Sequence, residues 1–307
     1  MQGLKAFRSA SLTRGVRARA SLKATPPPVL VLLSMTSVQV GAALAKSLFH
    51  SIGPAGAVLL RVGLGALILL ILWRPKLSGY TWREYRWALL FGGVLAAMNF
   101  SFYQSLDRIP LAVAVTIEFV GPLAVALLGS RRLIDLLWVA LAGAGIALLA
   151  PIGLFGGIAL DPLGVGLALL AGVLWGVYIL LTMQVGQSFS GVAGLALAMV
   201  VAAVALAPVG VLGAGSVLLN GRVLLLGALV ALLSSVLPYT LELEALRRLP
   251  SRVFGVLMSL EPGVAALVGL LLLHERLGPR AAVAIALVIA ASLGATQVRK
   301  QGEASKD

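Results

Sequence analysis

The chain has no cysteine and few charged residues. Of its 307 residues, none is Cys, two are His and 11% are charged. Without Cys there is no disulfide framework, thiol nucleophile or cysteine zinc site. His50 and His274 are far apart in the sequence, and no Cys or second His lies near either of them. No Gly-rich run ends in Gly-Lys-Ser or Gly-Lys-Thr, which excludes a P-loop ATPase. The sequence therefore predicts no metal site and no cofactor.

Apolar residues dominate what is present. The chain is 60% hydrophobic with a mean hydropathy of +1.04, against roughly 45–50% apolar residues in a soluble domain. This composition predicts an integral membrane protein. The net charge of +13 comes from basic residues scattered singly and in pairs between hydrophobic runs. That pattern is typical of topology determinants, so no nucleic-acid partner is expected.

Long apolar runs recur along the whole chain. A bilayer core of about 30 Å needs about 20 apolar residues per helix. Ten such runs are predicted to be transmembrane helices: 28–49, 54–73, 86–105, 110–129, 134–152, 162–184, 191–212, 223–246, 251–273 and 280–298. The connections between them are short, which leaves no room for a soluble catalytic domain. The expected fold class is an all-α membrane protein.

Basic residues predict the orientation. With a cytoplasmic N-terminus, 18 of the 24 Lys and Arg residues fall in cytoplasmic segments and 4 in outer segments, while Lys46 and Arg61 lie within spans. The positive-inside rule then places both termini in the cytoplasm. Two alternatives concern the start of the chain: residues 1–25 fit a transit peptide, and Ala45 could precede a cleavage site. A plain basic tail is favoured, because cleavage would leave nine spans.

An internal repeat divides the chain into halves. A shift of 140 residues aligns "SLDRIPLAVAVTIEFVGPLAVALLG" with "ALRRLPSRVFGVLMSLEPGVAALVG", including the Arg-x-Pro element and a later Pro. Because five spans is an odd number, the halves must cross the membrane in opposite senses, as in the inverted repeats of secondary transporters. The predicted organisation is a tail (1–27), two five-helix repeats (28–153 and 160–298) and a second tail (299–307). The substrate site is expected between the halves.

Glu118 is the most informative charged residue. A charge at mid-helix costs about 2.5–3.5 kcal/mol or more, so such residues normally face a cavity or a partner. Pro122 lacks the amide hydrogen that would bond the carbonyl of residue 118. The same turn therefore offers a carboxylate and an unpaired carbonyl, which together would suit a cation. The alternative is a structural glutamate that is protonated or hydrogen-bonded.

Three further charges join Glu118 in the predicted site. Glu261 precedes Pro262 in the matching helix, three positions from the equivalent of Glu118, which is about 60° around a helix. Lys46 and Arg61 add cations, so the group would match a zwitterion whose carboxylate meets Lys46 or Arg61 and whose ammonium meets Glu118. Three structural alternatives remain open: an Arg61 to Glu118 pair, a fixed interhelical bond of Glu261, and snorkelling of Lys46.

Polar and aromatic side chains complete the candidate lining: Gln39, Asn99, Tyr103, Thr116, Trp175, Tyr178 and Tyr239. Helical spacing puts Asn99 with Tyr103, and Trp175 with Tyr178, on shared faces. Membrane-interface aromatics are the alternative for these residues.

Two more glutamates lie near the predicted cytoplasmic end of the eighth span. Glu244 is four residues before Arg248, which favours an ordinary ion pair along the helix. Glu242 points about 200° away from Glu244 and is a candidate for the lining of the cytoplasmic exit.

Several long motifs carry a family resemblance. "GAALAKSLF", "IEFVGPLAVALLGSRR", "WGVYIL" and "LPYTLELEALRRLPSRVFGVLMSLEPGVAAL" resemble the bacterial threonine/homoserine exporters of the EamA family, in the drug/metabolite transporter superfamily. The resemblance spans about residues 28–298. It implies ten helices in two inverted halves, a bacterial inner-membrane location, and export of L-threonine and L-homoserine. The long basic tail and Glu244, where an apolar residue is expected, depart from the pattern.

The sequence thus predicts a transporter and not an enzyme. The hypothesis is a secondary active exporter of small neutral amino acids, working by alternating access and driven by the proton gradient. A glutamate alternately protonated and bound to ammonium would couple the two fluxes. The alternatives are an exporter of another solute, such as an aromatic amino acid or a purine-like metabolite, and a passive channel. No feature of the sequence indicates an oligomer.

Overall fold

The structure is a computed structural model, and helices make up nearly all of it. It describes residues 25–75, 78–127, 133–149, 160–189, 193–249 and 251–303. No β-strand occurs within these ranges. The prediction of an all-helical chain is therefore confirmed for the part of the chain that is described. The basic residues at 1–24, and with them the transit-peptide alternative, lie outside the described residues.

The α-helices run in this order: α1 Pro27–Trp73, α2 Trp82–Leu106, α3 Leu111–Glu118, α4 Val120–Leu127, α5 Leu133–Leu149, α6 Pro162–Ser188, α7 Ala193–Ala214, α8 Gly221–Ala231, α9 Leu237–Leu246, α10 Ser251–Met258, α11 Glu261–Leu272 and α12 Pro279–Glu303. A short 3₁₀ helix, Gly215–Leu219, follows α7. One turn of π-helix, Leu232–Val236, joins α8 to α9.

The helix α1 reverses direction at its middle. Gly53 has φ 65° and ψ 168°, a region open essentially to glycine alone. Gly41 lies against Ser234, and a methyl group on Gly65 would be 3.6 Å from Ser235. In a straight helix, positions 24 residues apart would be about 36 Å from each other. Because both positions contact neighbouring serines, α1 consists of a first arm before Gly53 and a second arm after it.

Two apolar segments are interrupted at matching points. The break between α3 and α4 falls at Phe119, and the break between α10 and α11 falls at Ser259 and Leu260. With the repeat offset of 140, Phe119 corresponds to Ser259. A proline follows each break, and proline removes the hydrogen bond to the carbonyl four residues earlier. The sequence thus accounts for both interruptions.

Helices at equivalent positions in the first and second half of the chain have equivalent packing partners. The first arm of α1 packs on α9 and α11, and α6 packs on α2 and on α3 with α4. The second arm packs on α7 and α8, and α2 also packs on α7. The helices α5 and α12 pack on each other. Glycines permit close approach, as where Gly210 of α7 lies against Leu59.

Among the described residues, five helical stretches are long and apolar enough to cross a membrane: Pro27–Leu72, Trp82–Leu106, Pro162–Ser188, Ala193–Leu219 and Gly221–Leu246. Shorter apolar helices occupy 111–125, 137–148, 261–272 and 279–294. Many large apolar side chains are exposed, among them Leu212 and Leu225. These features confirm a membrane-helical character.

Acidic side chains cap two helix starts, at positions that precede the predicted spans 86–105 and 162–184. Glu84 forms a capping box with Thr81 at the start of α2, and the pKa of Glu84 is lowered because the backbone N–H and hydroxyl of Thr81 donate to its carboxylate. Asp161 caps α6 and accepts from the N–H groups of Leu163 and Gly164. These bonds, the one from Leu163 above all, lower the pKa of Asp161.

Candidate functional site

Two buried carboxylates lie at the helix interruptions. Glu118 is the last residue of α3 and is 9% exposed, and Glu261 is the first residue of α11 and is 6% exposed. The two carboxyl groups lie within electrostatic range of each other. The structure therefore brings together the two acids that the sequence predicted as a group.

A glutamine holds the second carboxylate. Gln39, on the first arm of α1, donates from Nε2 to Oε1 of Glu261 at 3.1 Å. Two further oxygens, Oε1 of Gln39 and Oε2 of Glu261, are buried and have no hydrogen-bond partner among the described residues. Two acceptors without donors are thus adjacent at the second interruption.

Arg61 supplies the positive charge of the site. It lies on the second arm of α1, and its Nη2 donates to the carbonyl of Ser234 at 3.3 Å. The guanidinium carbon is 5.4 Å from the centroid of the Tyr103 ring, within the range of a cation–π contact. Glu118 is also within electrostatic range of Arg61, but the two residues form no ion pair in the described part of the chain. Thus the structural Arg61 to Glu118 pair is absent from this arrangement.

Pro238 explains why the carbonyl of Ser234, in the π-helical turn, is available to Arg61. Pro238 lies four residues later and has no N–H to donate to it. Ser37 donates in the same way to the carbonyl of Leu233 at 2.7 Å. Single π-helical turns of this kind often mark functional sites. Oγ of Ser234 and the hydroxyl of Tyr103 are buried and have no hydrogen-bond partner among the described residues.

Two predicted lining residues use their polar groups within their own helices. Asn99 is buried, and its Nδ2 donates to the carbonyl of Leu95 at 2.8 Å. Thr116 is buried, and its Oγ1 donates to the carbonyl of Ala112 at 2.6 Å. Asn99 retains its Oδ1 acceptor, whereas the hydroxyl proton of Thr116 is already engaged.

The aromatic residues of α6 lie beside the first interruption. Trp175 packs edge-on against Phe119, with ring centroids 5.7 Å apart. Tyr178 stacks on Phe91 at 4.9 Å, and its hydroxyl lies near that of Tyr239. An aromatic wall therefore adjoins the turn that carries Glu118.

Lys46 lies in a different set of contacts. Its Nζ donates to Oε1 of Glu275 at 2.8 Å, and Oε2 of Glu275 accepts from the backbone N–H of Leu111 at 2.9 Å. This ion pair joins the first arm of α1, the start of α3 and the segment between α11 and α12. Sequence reasoning missed Glu275, because its "HERLGPR" segment had been treated only as a polar connection.

The two glutamates of α9 have separate partners. Glu242 accepts from the Ser34 hydroxyl at 2.6 Å and is within electrostatic range of Glu261. Glu244 pairs with Arg248, with Nε and Oε1 3.4 Å apart, which confirms the predicted ion pair along the helix. No group of three His, Cys, Asp or Glu residues suited to a metal ion occurs among the described residues.

The site combines a fixed guanidinium, two adjacent buried carboxyl groups and unpaired donors and acceptors, all held between membrane helices. This arrangement suits a small solute that carries both charges. Buried ionisable groups between apolar helices are typical of the solute pathways of membrane transporters.

Comparison with known proteins gives the family. The EamA-like transporter family matches residues 162–297. The chain is 46% identical over 279 residues to the threonine/homoserine exporter RhtA of Escherichia coli strain K12, covering 90% of this chain and 94% of that protein. RhtA of Salmonella typhimurium strain LT2 is 46% identical over 271 residues, which is 88% and 91% of the two chains. The chain belongs to the EamA-like transporter family and is a transporter, not an enzyme.

A solved crystal structure shares the fold. It has a TM-score of 0.61 and 20% sequence identity, and it covers 90% of this chain and 99% of that chain. Together with the apolar helices, the family makes this a multi-pass membrane protein. The relatives with 46% identity confirm the resemblance found in the sequence motifs.

Proposed function

We propose that this chain exports L-threonine and L-homoserine from a bacterial cell across the inner membrane as a secondary active transporter. The observation that carries the proposal is the buried group formed by Arg61, Glu118 and Glu261. An α-amino acid presents a carboxylate and an ammonium, which match the guanidinium and the acids. The relatives with 46% identity are named threonine/homoserine exporters, which selects these two amino acids within that chemical class.

We infer ten spans in two inverted repeats, 28–153 and 160–298, with both termini in the cytoplasm. Each of the ten predicted apolar runs falls on one or two of the helices α1 to α12. The helix breaks at Phe119 and Ser259 occupy equivalent positions in the predicted repeats. The set of packed helix pairs also stays the same when each helix is replaced by its repeat equivalent. The substrate site then lies where the halves meet, near the middle of the membrane.

Proton coupling follows from the two acids. Glu118 and Glu261 are buried and within electrostatic range of each other, so a proton on one of them would reduce their repulsion. A proton taken up from outside would displace the ammonium of the substrate, and release of that proton inside would restore the binding state. Such an exchange is antiport by alternating access.

The test is counterflow of labelled L-threonine in liposomes that contain the purified protein. Excess unlabelled L-threonine or L-homoserine inside should drive transient accumulation of the label, and an imposed pH gradient should drive net transport. Glu118→Gln should abolish the response to the pH gradient, whereas Glu84→Gln, at the surface capping box, should leave it intact. Full pH-dependent transport by Glu118→Gln would exclude Glu118 from the coupling mechanism. A passive channel would show no counterflow.

A second candidate substrate, an aromatic amino acid, is favoured by the wall that Trp175 and Phe119 form beside Glu118. Ring-on-ring contacts add about 0.5–1.5 kcal/mol to an apolar contact. Competition by unlabelled phenylalanine or tryptophan in the same liposomes decides between the two. Stronger competition by the aromatic amino acid than by threonine would move the assignment.

A further inference from the structure

Lys46 shares one face of α1 with a residue of the buried site. Gln39 and Lys46 are seven positions apart in the sequence, which is about two helical turns, about 10 Å along the axis and about 20° around it. Gln39 bonds Glu261 at the start of α11, and Lys46 bonds Glu275 just after the end of that helix. The first arm of α1 and the α11 segment are therefore joined at two levels, at the site and beyond it.

The turn after α11 folds back and holds Glu275 in place. The carbonyl of Gly269 accepts from the N–H groups of Leu273 and Glu275, at 3.1 and 3.0 Å. A methyl group on Gly269 would be 2.8 Å from Oε2 of Glu275, so the carboxylate lies over that glycine. His274, between the two donors, has φ 53°, a left-handed conformation that a residue other than glycine keeps only where surrounding contacts hold it. The turn thus fixes the direction of the carboxylate.

The carboxylate of Glu275 connects three segments that also carry the site. Its Oε1 accepts from Nζ of Lys46 at 2.8 Å, and its Oε2 accepts from the N–H of Leu111 at 2.9 Å. Leu111 is the first residue of α3, and Glu118 is the last. The segments α1, α3 and α11, which carry the amide and the two carboxylates of the site, therefore meet a second time at Glu275.

This meeting point is close to water and close to the predicted outer face. The side chains of Lys46 and Glu275 are 27% and 12% exposed, and an ion pair that water reaches is weaker than a fully enclosed one. In the predicted orientation, the connections at 50–53, 106–109 and 274–279 lie outside. The pair therefore lies on the outer side of the buried carboxylates, where it can break and re-form.

We propose that Lys46, Glu275 and the N–H of Leu111 form the outer gate of the transport path, and that the gate is closed in this structure. The inference rests on the proposed function, because alternating access requires that the path be closed on one side at a time. While the ion pair holds, α1, α3 and α11 stay together on the outer side of the site. When it breaks, these segments can separate and admit water and solute from outside.

The competing explanation is a permanent ion pair that only stabilises the fold. Loss of the pair would lower the thermal stability in either case, so the accessibility of the path has to decide. Lys46→Met removes the cation. Glu275→Gln removes the opposite charge and keeps an oxygen that can accept from the N–H of Leu111.

The experiment uses a single introduced cysteine, because the chain has none of its own. Ala43 is 3% exposed and lies between Gln39 and Lys46, within about 60° of both around the helix. Full-length Ala43→Cys is expressed in bacterial cells, a membrane-impermeant maleimide is added outside, and the labelling rate is measured on the protein purified afterwards. Labelling should be slow, and Lys46→Met or Glu275→Gln should raise its rate about 10-fold, as expected for loss of a charged hydrogen bond. The two changes together should add nothing further, since they remove the same pair.

Two controls make the test specific. Arg108→Met removes another ion pair at the predicted outer face, in which Nη1 of Arg108 is 3.5 Å from Oδ2 of Asp161, and it should leave the labelling of Ala43→Cys unchanged. Ala202→Cys, at a buried position of α7, should stay slow to label in every background.

The outcomes separate the gate from the proposed function. Unchanged labelling of Ala43→Cys in both gate variants would overturn the gate. An equal rise with Arg108→Met, or an equal rise at Ala202→Cys, would also overturn it, because the effect would then be a general loosening. Labelling requires no substrate, so the expected rise together with no counterflow of L-threonine or L-homoserine would keep the gate and overturn the substrate assignment.

Discussion

Replacing Gly172 by alanine tests the helix break that carries Glu118. Gly172 lies on α6, where its backbone meets the last turn of α3. A methyl group at Gly172 would be 2.7 Å from the carbonyl oxygen of Glu118 and 3.2 Å from its carbonyl carbon. Both atoms belong to the backbone, so a side-chain rotation cannot relieve the contact. The two helices would have to move apart.

The size of the effect follows from that distance. A gap of 2.7 Å is about 0.7 Å shorter than an ordinary contact of 3.4 Å, and overpacking of this kind costs about 1–3 kcal/mol. Alanine also stabilises a helix by about 0.5–1 kcal/mol relative to glycine. Gly166→Ala is the matched control, because Gly166 lies on the same helix and its methyl group would meet no atom within 4 Å. The helix-propensity gain cancels between the two variants, so Gly172→Ala should be less stable than Gly166→Ala by about 1–3 kcal/mol.

The assay compares thermal unfolding of the two variants in the same detergent, together with counterflow in liposomes. Gly172→Ala should unfold earlier and should transport more slowly, since the shift moves the backbone at Glu118. Gly166→Ala should retain normal transport and equal or higher stability. If the two variants were equally stable, α6 could not lie against the end of α3 as the structure has it.

Three other perturbations have defined outcomes. Lys46→Met should lower the free energy of unfolding by about 1.5–3 kcal/mol, because a partly buried charged hydrogen bond is lost. The exchanged pair, Lys46→Glu with Glu275→Lys, should recover part of that stability, measured by thermal unfolding. Gly53→Ala should lower the unfolding temperature, since only glycine readily adopts its backbone angles, whereas Gly63→Ala, whose methyl group would find an atom only at 4.0 Å, should not. The pKa of Glu84 is lowered in the folded chain, so the stabilisation by Glu84 is complete above the ordinary carboxyl pKa and is lost as the pH falls through the pKa of the folded state. Glu84→Gln should therefore flatten the decline of the unfolding temperature at acid pH. An unchanged decline would assign that pH dependence to other groups.

The sequence was sufficient for the features that depend on local order along the chain. Apolar runs predicted the helices, because each run must satisfy its backbone groups internally in a membrane. The i,i+4 spacing of Glu244 and Arg248 predicted their ion pair, which the structure contains. The family resemblance was carried by contiguous motifs and is confirmed by relatives with 46% identity. The inverted repeat and the orientation remain predictions.

Side-chain pairing between distant helices could not be predicted in the same way. Lys46 and Glu275 are 229 residues apart, and Gln39 and Glu261 are 222 apart. Helical periodicity fixes which residues share a face, but it does not say which face of another helix meets them. Lys46 was therefore grouped with Arg61 and Glu118 on charge alone, whereas the structure pairs it with Glu275.

Proline positions offered a signal that sequence reasoning used only in part. The logic that predicted a free carbonyl at Glu118 from Pro122 applies equally to Pro238, which frees the carbonyl of Ser234. Arg61 takes that carbonyl at 3.3 Å. A guanidinium anchored to a neutral carbonyl keeps its full charge and has four further N–H donors. Had Arg61 paired directly with Glu118, each charge would have neutralised the other, and neither would be available to a ligand. The proline thus gives the arginine a neutral anchor, which the proposed binding site requires.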